Sequence, residues 1–341
     1  MDHEQPFPAD ERIRLGIICN LRHENADDDE AEFDSPQTVA AIRAALSRRG
    51  IDAVILEAGP RLPEAIRRSG INMAFNIAEG RGGRGREAQV PALLELMGIP
   101  YTGSDAVALG VSLDKAMCKR LAGACGVRTA KFAVINAADD VPADISYPVI
   151  VKPNAEGSGK GISEDCIAAD RHELEGLLER SLKFCGSLLI EEYLPGREFT
   201  VGILGNGSAK TVLPPMEIIY NGNTQRDYKV YSYEIKCNYK RHVRYECPAQ
   251  LDKAQDEALR TAAGKVFDAL GCADVARADF RMDASGSFCF LEINPLPGLA
   301  PGYSDLPMIA QAAGIGYDEL VFAIYSAARE RLGGRPDDTH R

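Results

Sequence analysis

At 341 residues the chain is longer than one hydrophobic core usually organises, so two or three packed units are expected. Its 45% hydrophobic and 26% charged residues suit an ordinary globular enzyme, and a formal charge of −11 disfavours nucleic acid and anionic membrane surfaces as partners. No apolar run approaches the roughly 20 residues that span a bilayer, the acidic start MDHEQPFPADER has no secretory character, and nine scattered cysteines without a C-x-x-C pair read as reduced thiols, so a cytoplasmic protein is expected.

Polar, Pro-containing tails are expected over 1–12 and 333–341. Between them the first unit, 13–103, alternates strand and helix. Ile13–Cys19, Ile51–Glu57 and Asn72–Ile77 are short apolar runs of strand length. A helix after Ser35 has a good N-cap, Pro36 at its first position, a stripe of Val39, Ile42 and Leu46, and Gly50 placed at C′. A further helix covers Glu87–Met97 and ends at Gly98. This alternation argues for an open, mostly parallel sheet. The second unit, 104–193, has helices over Asp114–Gly123 and Arg171–Phe184 and strands at Phe132–Ile135, Val149–Lys152 and Leu188–Glu192. The third, 194–332, opens with strands Phe199–Leu204 and Thr211–Met216, then a Tyr-rich polar stretch, a helix Asp252–Leu270, a hairpin and a C-terminal helix.

The hairpin Ala276–Gly298 is the most informative segment. Two alternating runs flank the turn Asp283-Ala284-Ser285-Gly286. Pairing Met282 with Ser287 sets Arg277 opposite Glu292 and Asp279 opposite Phe290, with Asp279 and Glu292 as diagonal neighbours. Arg277, Asp279, Glu292 and Asn294 then share one face, and Ala276, Ala278, Phe280, Cys289, Leu291 and Ile293 form the core face. A bulge at Gly286 would slip this register. The polar face is either a hard-cation site on a nucleotide or a solvated face with an Arg277–Glu292 ion pair; the Asn two residues after the Glu, followed by a Pro/Gly loop, favours the metal.

Tyr147–Ser163 reads as a strand ending in Lys152, then a loop with Gly157, Gly159 and Gly161 around Ser158 and Lys160. Such a loop either cradles phosphate with backbone N–H groups or is a surface turn; a lysine closing an apolar strand favours phosphate. It lacks the spacing of a Walker loop. Gly80–Gly85 matches G-x-G-x-x-G formally, but follows the third strand, carries two arginines and lacks the acidic residue of a dinucleotide fold. Tyr228–Tyr245 has the aromatic and basic look of a nucleic-acid patch, which the net charge argues against.

The Ala276–Gly298 segment is similar to the metal signature of the ATP-grasp enzymes, and Glu79–Ser104 resembles the substrate loop and following helix of D-alanine–D-alanine ligases. The resemblance runs from about Ile13 to Arg331. It implies a three-domain α/β ATP-grasp fold, with an N-terminal open parallel sheet and central and C-terminal α+β domains enclosing ATP. It implies two Mg²⁺ ions, replaceable by Mn²⁺, on Asp279, Glu292 and Asn294. ATP would be held by Lys115, Lys152, Gly157, Ser158, Gly159, Glu191, Tyr193, Leu194, Glu198 and Lys236, with Glu191, Tyr193 and Leu194 at the adenine and Glu198 at the ribose. Arg277, Ser158 and Lys236 would be catalytic, Arg277 stabilising the tetrahedral intermediate, and Glu79, Gly298 and Ser304 would touch substrate. The implied reaction joins two amino-acid-like molecules through an acyl phosphate, with the Gly157–Gly161 and Tyr228–Tyr245 loops closing over it; a homodimer is compatible with the family.

Three positions depart from that family's pattern. Its His before Gly-Arg-Gly-Gly is Glu79, its following acidic pair is Arg84 and Gly85, and the Tyr after its phosphate lysine is Cys237. The N-terminal Glu of its substrate network is open among Glu24, Glu30 and Glu32. These changes lead us to expect a first substrate other than D-alanine, larger and with an added cationic group near Glu79. The alternative is that Glu79 faces solvent or pairs with a neighbouring Arg.

Overall fold

A computed structural model of the chain describes residues 13–23, 30, 32–137, 140–156, 164–183, 185–221, 228, 230 and 239–333. The expectations on Gly157, Ser158, Gly159, Lys160, Gly161, Lys236, Cys237, Glu24 and half of Tyr228–Tyr245, and on the two tails, fall outside these residues.

The first sheet is parallel, in the order β2 (Ala53–Glu57), β1 (Leu15–Cys19), β3 (Met73–Ile77). All five residues of β1 are buried, as a central parallel strand requires. Helix α1 (Pro36–Ser47) starts where Ser35 accepts from the Thr38 N–H with Pro36 behind it. It ends one residue earlier than the C′ glycine implied: Arg48 is the C-cap, and Gly50 supplies the left-handed turn (φ 76°) leading to β2. Helices α2 (Leu62–Ser69) and α3 (Gln89–Leu96) cover the other face around Ile66, Ile71 and Leu94.

Asp114 ends α4 (Ala106–Leu113) and caps α5 (Lys115–Ala124), accepting from the Met117 N–H at 3.0 Å. Asn154 ties the same turn to the next sheet: its carbonyl accepts from Lys115 N at 2.9 Å and its Oδ1 from Ala116 N at 3.0 Å. That second sheet is antiparallel, in the order β4 (Phe132–Ile135), β7 (Leu188–Glu192), β5 (Val149–Pro153), β6 (Ile167–Ala168), backed by α6 (Arg171–Ser181). Lys115 and Lys152 are thereby brought to one place from elements 37 residues apart in sequence.

The third sheet is antiparallel, with the path β11 (Val243–Glu246), β10 (Met216–Tyr220), β8 (Glu198–Leu204), β12 (Val275–Met282), β13 (Phe288–Asn294) and β9 (Thr211–Val212) paired to β8. The single strand expected over Thr211–Met216 is two strands, because Pro214 and Pro215 cannot donate ladder hydrogen bonds. The single turn α7 (Tyr239–His242) precedes β11, and α8 (Lys253–Ala269) starts with a complete capping box on Asp252 and Gln255. Its apolar face meets Cys118 and Ala122 of α5 and the inner side of β8 and β12. Helix α10 (Tyr317–Arg331) packs on α1, and α9 (Asp305–Ala312) lies on β8 and α10, so Leu306, Ile309 and Ile324 share a core with Leu15, Ile17 and Ile42.

The hairpin register differs from the one set by the turn. Phe280 faces Phe290 and Met282 faces Phe288, and the pairing then shifts so that Asp279 faces Glu292 and Arg277 faces Asn294. One residue of slip arises at the turn, where Gly286 takes φ 80° and Met282 faces Phe288 instead of Ser287, and a second at a bulge between Asp279 and Phe280 that leaves Leu291 unpaired. Asp279 and Glu292 are therefore directly opposed, not diagonal. The extra residue also changes the far side: Phe290 enters the core against Phe280 (ring centroids 5.6 Å), whereas Cys289 and Leu291 pack with Ala130 and Leu194 outside it.

Candidate active site

One cleft of about 370 Å³, within the size range of ligand sites, lies between the three sheets. Lys115, Lys152, Glu191, Tyr193, Leu194, Glu198, Arg277, Asp279, Glu292, Asn294, Glu79, Gly298 and Ser304 all line it. Residues chosen on separate stretches of sequence thus meet on one surface.

The basic side of the cleft is organised by Glu191. This carboxylate, 3% exposed on β7, pairs with Lys152 from the adjacent β5 and, at 2.8 Å, with the wholly buried Lys119 of α5. Burial pushes the Glu191 carboxyl up, but the two ammonium groups more than offset that and hold it down at about 2. Lys119 was not singled out from sequence, although its i,i+4 spacing from Lys115 on α5 puts both on one helix side. It also donates to the Phe290 carbonyl at 3.1 Å. One carboxylate serving two ammonium groups leaves surplus positive charge facing the cleft, which suits a polyphosphate. Committed in this way, the Glu191 side chain positions lysines rather than presenting a free carboxylate to a base.

Next to it, Glu198 accepts from the Tyr220 hydroxyl at 2.7 Å and pairs with Arg281 at 3.3 Å. Arg281 lies over the Tyr193 ring at 5.1 Å. It continues the alternation of Arg277 and Asp279, and that period-2 signal was available in the sequence.

On the hairpin, the Arg277 Nε and a terminal nitrogen donate to both Asp279 oxygens at 3.1 and 2.8 Å, and Asp305 at the start of α9 stands 3.2 Å away. Burial opposes the Arg277 charge, but the two carboxylates hold its pKa above the usual guanidinium value. Burial likewise pushes Glu292 up, and Lys115 at 3.1 Å, with Lys152 and Arg277, brings it down to about 2. Two directly opposed carboxylates repel one another, and here each has a protein cation as counter-charge. Among the described residues no three His, Cys, Asp or Glu side chains form a metal cage. Two carboxylates and the Asn294 amide nevertheless match Mg²⁺, which takes few protein oxygens and completes its shell with water and substrate phosphates. Beyond the hairpin, a Cβ on Gly298 would come 2.8 Å from the Ser304 Oγ, and that Oγ accepts from the Ala300 N–H at 3.1 Å.

Comparison with known proteins agrees with this geometry. A family model described as the D-ala D-ala ligase C-terminus matches residues 124–326. A D-alanine–D-alanine ligase of Bordetella petrii is 36% identical over 291 residues, covering 84% of this chain and 85% of the relative. One from Syntrophotalea carbinolica is 35% identical over 298 residues, with 87% and 92% covered. The chain belongs to the D-alanine–D-alanine ligase family. Its members are ATP-dependent carbon–nitrogen ligases. The Bacillus anthracis D-alanine–D-alanine ligase, solved as a complex with ATP, superposes with a TM-score of 0.75 at 24% identity over 94% of this chain and 99% of that one. The VanG D-Ala:D-Ser ligase of Enterococcus faecalis does so with 0.73 at 19%, covering 93% and 100%. The likeness to these structures establishes the ATP-grasp fold.

Membership in this ligase family removes the dinucleotide reading of Gly80–Gly85. Locally the loop is folded on itself: Gly80 takes φ 73° with the Arg86 carbonyl 1.9 Å from where a Cβ would stand, and Gln89 closes the turn onto Arg81. Of the three glutamates left open for the N-terminal position, Glu30 pairs with His23 at 3.0 Å and Glu32 lines the cleft. Arg84 turns to Asp114 at 2.8 Å and not to Glu79.

Proposed function

We propose that this protein forms an amide bond between two amino-acid-like substrates at the expense of ATP, through an acyl phosphate. The observation that carries this reading is the convergence on one cleft of the surplus ammonium charge of β5 and α5, the opposed carboxylates of the hairpin and Arg277. The adenine lies along Tyr193 and Leu194, the ribose at Glu198, and the phosphates toward Lys115 and Lys152. Asp279, Glu292 and Asn294 hold two Mg²⁺ ions, which supply the charge neutralisation a triphosphate needs when attacked by an anion. Bound nucleotide would draw Lys115 from Glu292 onto its phosphates.

In the first step a carboxylate oxygen of one substrate attacks the γ-phosphorus, the bond to the bridging oxygen breaks, and ADP leaves. In the second, the free amine of the other substrate attacks the acyl carbon, inorganic phosphate is expelled, and the nitrogen gives its surplus proton to solvent. Arg277 opposes the oxyanion that develops between these events. Its pairing with Asp279 and Asp305 occupies about three of its five N–H groups and leaves the others for that oxygen. Gly298 and Ser304 shape the wall for the second substrate. Every described cysteine is a free thiol, which fits the reducing cytoplasm where we place the reaction.

The test is incubation with ATP, Mg²⁺ and pooled amino acids, followed by mass analysis. The expected result is ADP, phosphate and a product lighter by one water than its two components. Formation of AMP, or ADP release with no new amide, would overturn the reading.

A further inference from the structure

The wall of the cleft supplied by the first sheet and its loops is acidic: Glu32, Asp34, Glu79 and Glu87 all face it. Of these four only Glu32 has an ion-pair partner at contact distance among the described residues, and Arg86, which also offsets part of the charge of Glu79 and Glu87, is bound to it. Arg86 donates to both of its oxygens at 3.0 and 2.9 Å and spends a further N–H on the Ala155 carbonyl at 3.0 Å. Asp34, Glu79 and Glu87 have no hydrogen bond or ion pair to their carboxylates among the described residues. Glu87 is only 7% exposed, so its carboxylate is taken from water and open only to the cleft. Of the two cations that act on Glu87, Arg86 is paired with Glu32 and Lys115 with Glu292. Arg22 also lines the cleft but is solvent-exposed and pairs with none of the three.

Unpaired carboxylates in such a place are costly unless a ligand brings the missing charge. Burial, which Arg86 offsets only in part for the two glutamates, pushes Glu79 well up and Asp34 and Glu87 up to about 7. A metal ion does not fit this wall, since no three described acidic side chains converge as a cage. An organic cation does. Three unmatched carboxylates also exceed what the single α-ammonium of an ordinary amino acid can satisfy. Beside Asp34 and Glu79 a small pocket of about 40 Å³ adjoins the cleft, with Phe75, Ile77 and Leu299 in its lining, a setting for an aliphatic stem.

We propose that the acyl-donor subsite selects an amino acid with a second basic group on an aliphatic side chain, with Glu79 and Glu87 as the anionic partners of that group. The inference rests on the ligase reading of the same cleft. The direct test compares matched pairs that differ only in replacing a side-chain ammonium by a methyl group: 2,3-diaminopropionate with 2-aminobutyrate, 2,4-diaminobutyrate with norvaline, ornithine with norleucine, each as both enantiomers. Binding is read by calorimetry in the presence of a non-hydrolysable ATP analogue and Mg²⁺, and turnover by ADP release with a pool of amine acceptors. The basic member of at least one pair should bind at least about tenfold more tightly, as one charge-assisted contact provides. The ratio should fall toward one in the Glu79→Gln/Glu87→Gln double variant. Equal binding within every pair overturns the inference whether or not the protein turns over, as does D-alanine being the best donor. Preferential binding of basic amino acids with no amide product supports the pocket and sinks the ligase reading instead.

Discussion

Replacing Glu191 with Gln removes the one anion that two lysines share beneath the nucleotide cleft. A carboxyl held at about 2 in the folded chain, against 4.5 when free, contributes about 3 kcal/mol at neutral pH, at roughly 1.4 kcal/mol for each tenfold change in its protonation equilibrium. The same figure follows from the about 3–5 kcal/mol cost of breaking a buried ion pair. Lys119 would keep only the Phe290 carbonyl, and Lys152 would sit unscreened in its field. Because the folded value lies below the free one, the contribution is complete above 4.5 and is lost as pH falls from 4.5 toward about 2. Urea unfolding of the wild type and Glu191→Gln at pH 7 should therefore differ by about 3 kcal/mol, with about 2 kcal/mol of that difference gone at pH 3. ATP, bringing its own negative charge to the lysines, should recover part of the loss. A difference below about 1 kcal/mol at pH 7, or one that does not shrink with acid, would show that the lysines are solvated and that the charge surplus we infer does not exist.

Substitutions at four further positions bear on the metal, the phosphates and the core. Asp279→Asn and Glu292→Gln should each abolish ADP formation at saturating ATP and Mg²⁺ with an unchanged circular dichroism spectrum; near-normal turnover in either would remove the metal from this hairpin. Lys152→Met should weaken ATP binding by about 1.5–3 kcal/mol in calorimetry, since it deletes a charge-assisted phosphate contact, and unchanged affinity would leave the lysine a structural role only. Asp274→Ala should lower the unfolding free energy by about 3 kcal/mol, because this fully buried carboxylate accepts from Gly103 N, Asn206 Nδ2 and two Arg331 nitrogens while holding φ 66°. Asp274→Asn, which tolerates that backbone and keeps one acceptor, should lose less; an Ala variant within about 1 kcal/mol of the wild type would contradict this account.

Local patterns were enough to outline the architecture. Alternating apolar runs, Ser35 with Pro36, and the strands Phe132–Ile135 and Leu188–Glu192 are decided by sterics and capping within a few residues, and they appear where those rules put them. The shared face of Arg277, Asp279, Glu292 and Asn294 follows from the two-residue period of a strand, which each strand carries in its own sequence. Where the hairpin pairs is a different matter. The extra residue Leu291 costs the ladder one pairing and is accepted because it lets Phe290 fill the core beside Phe280 while Glu292 meets Asp279. That trade depends on packing from α5 and α8, which no turn sequence encodes.

Charge pairing was legible least of all. Lys119 finds Glu191, Arg86 finds Glu32 and Arg331 finds Asp274 across 72, 54 and 57 residues of sequence, and any of several neighbouring acids would have served as well on composition alone. The sequence by itself determined the elements, the polar face of the hairpin and the kinship with D-alanine–D-alanine ligases. Only the tertiary structure decided which charges are spent on one another and which, such as Glu79 and Glu87, are left facing the cleft. A charge's free energy depends on its burial and on partners a few ångströms away, and the packing of distant elements sets both.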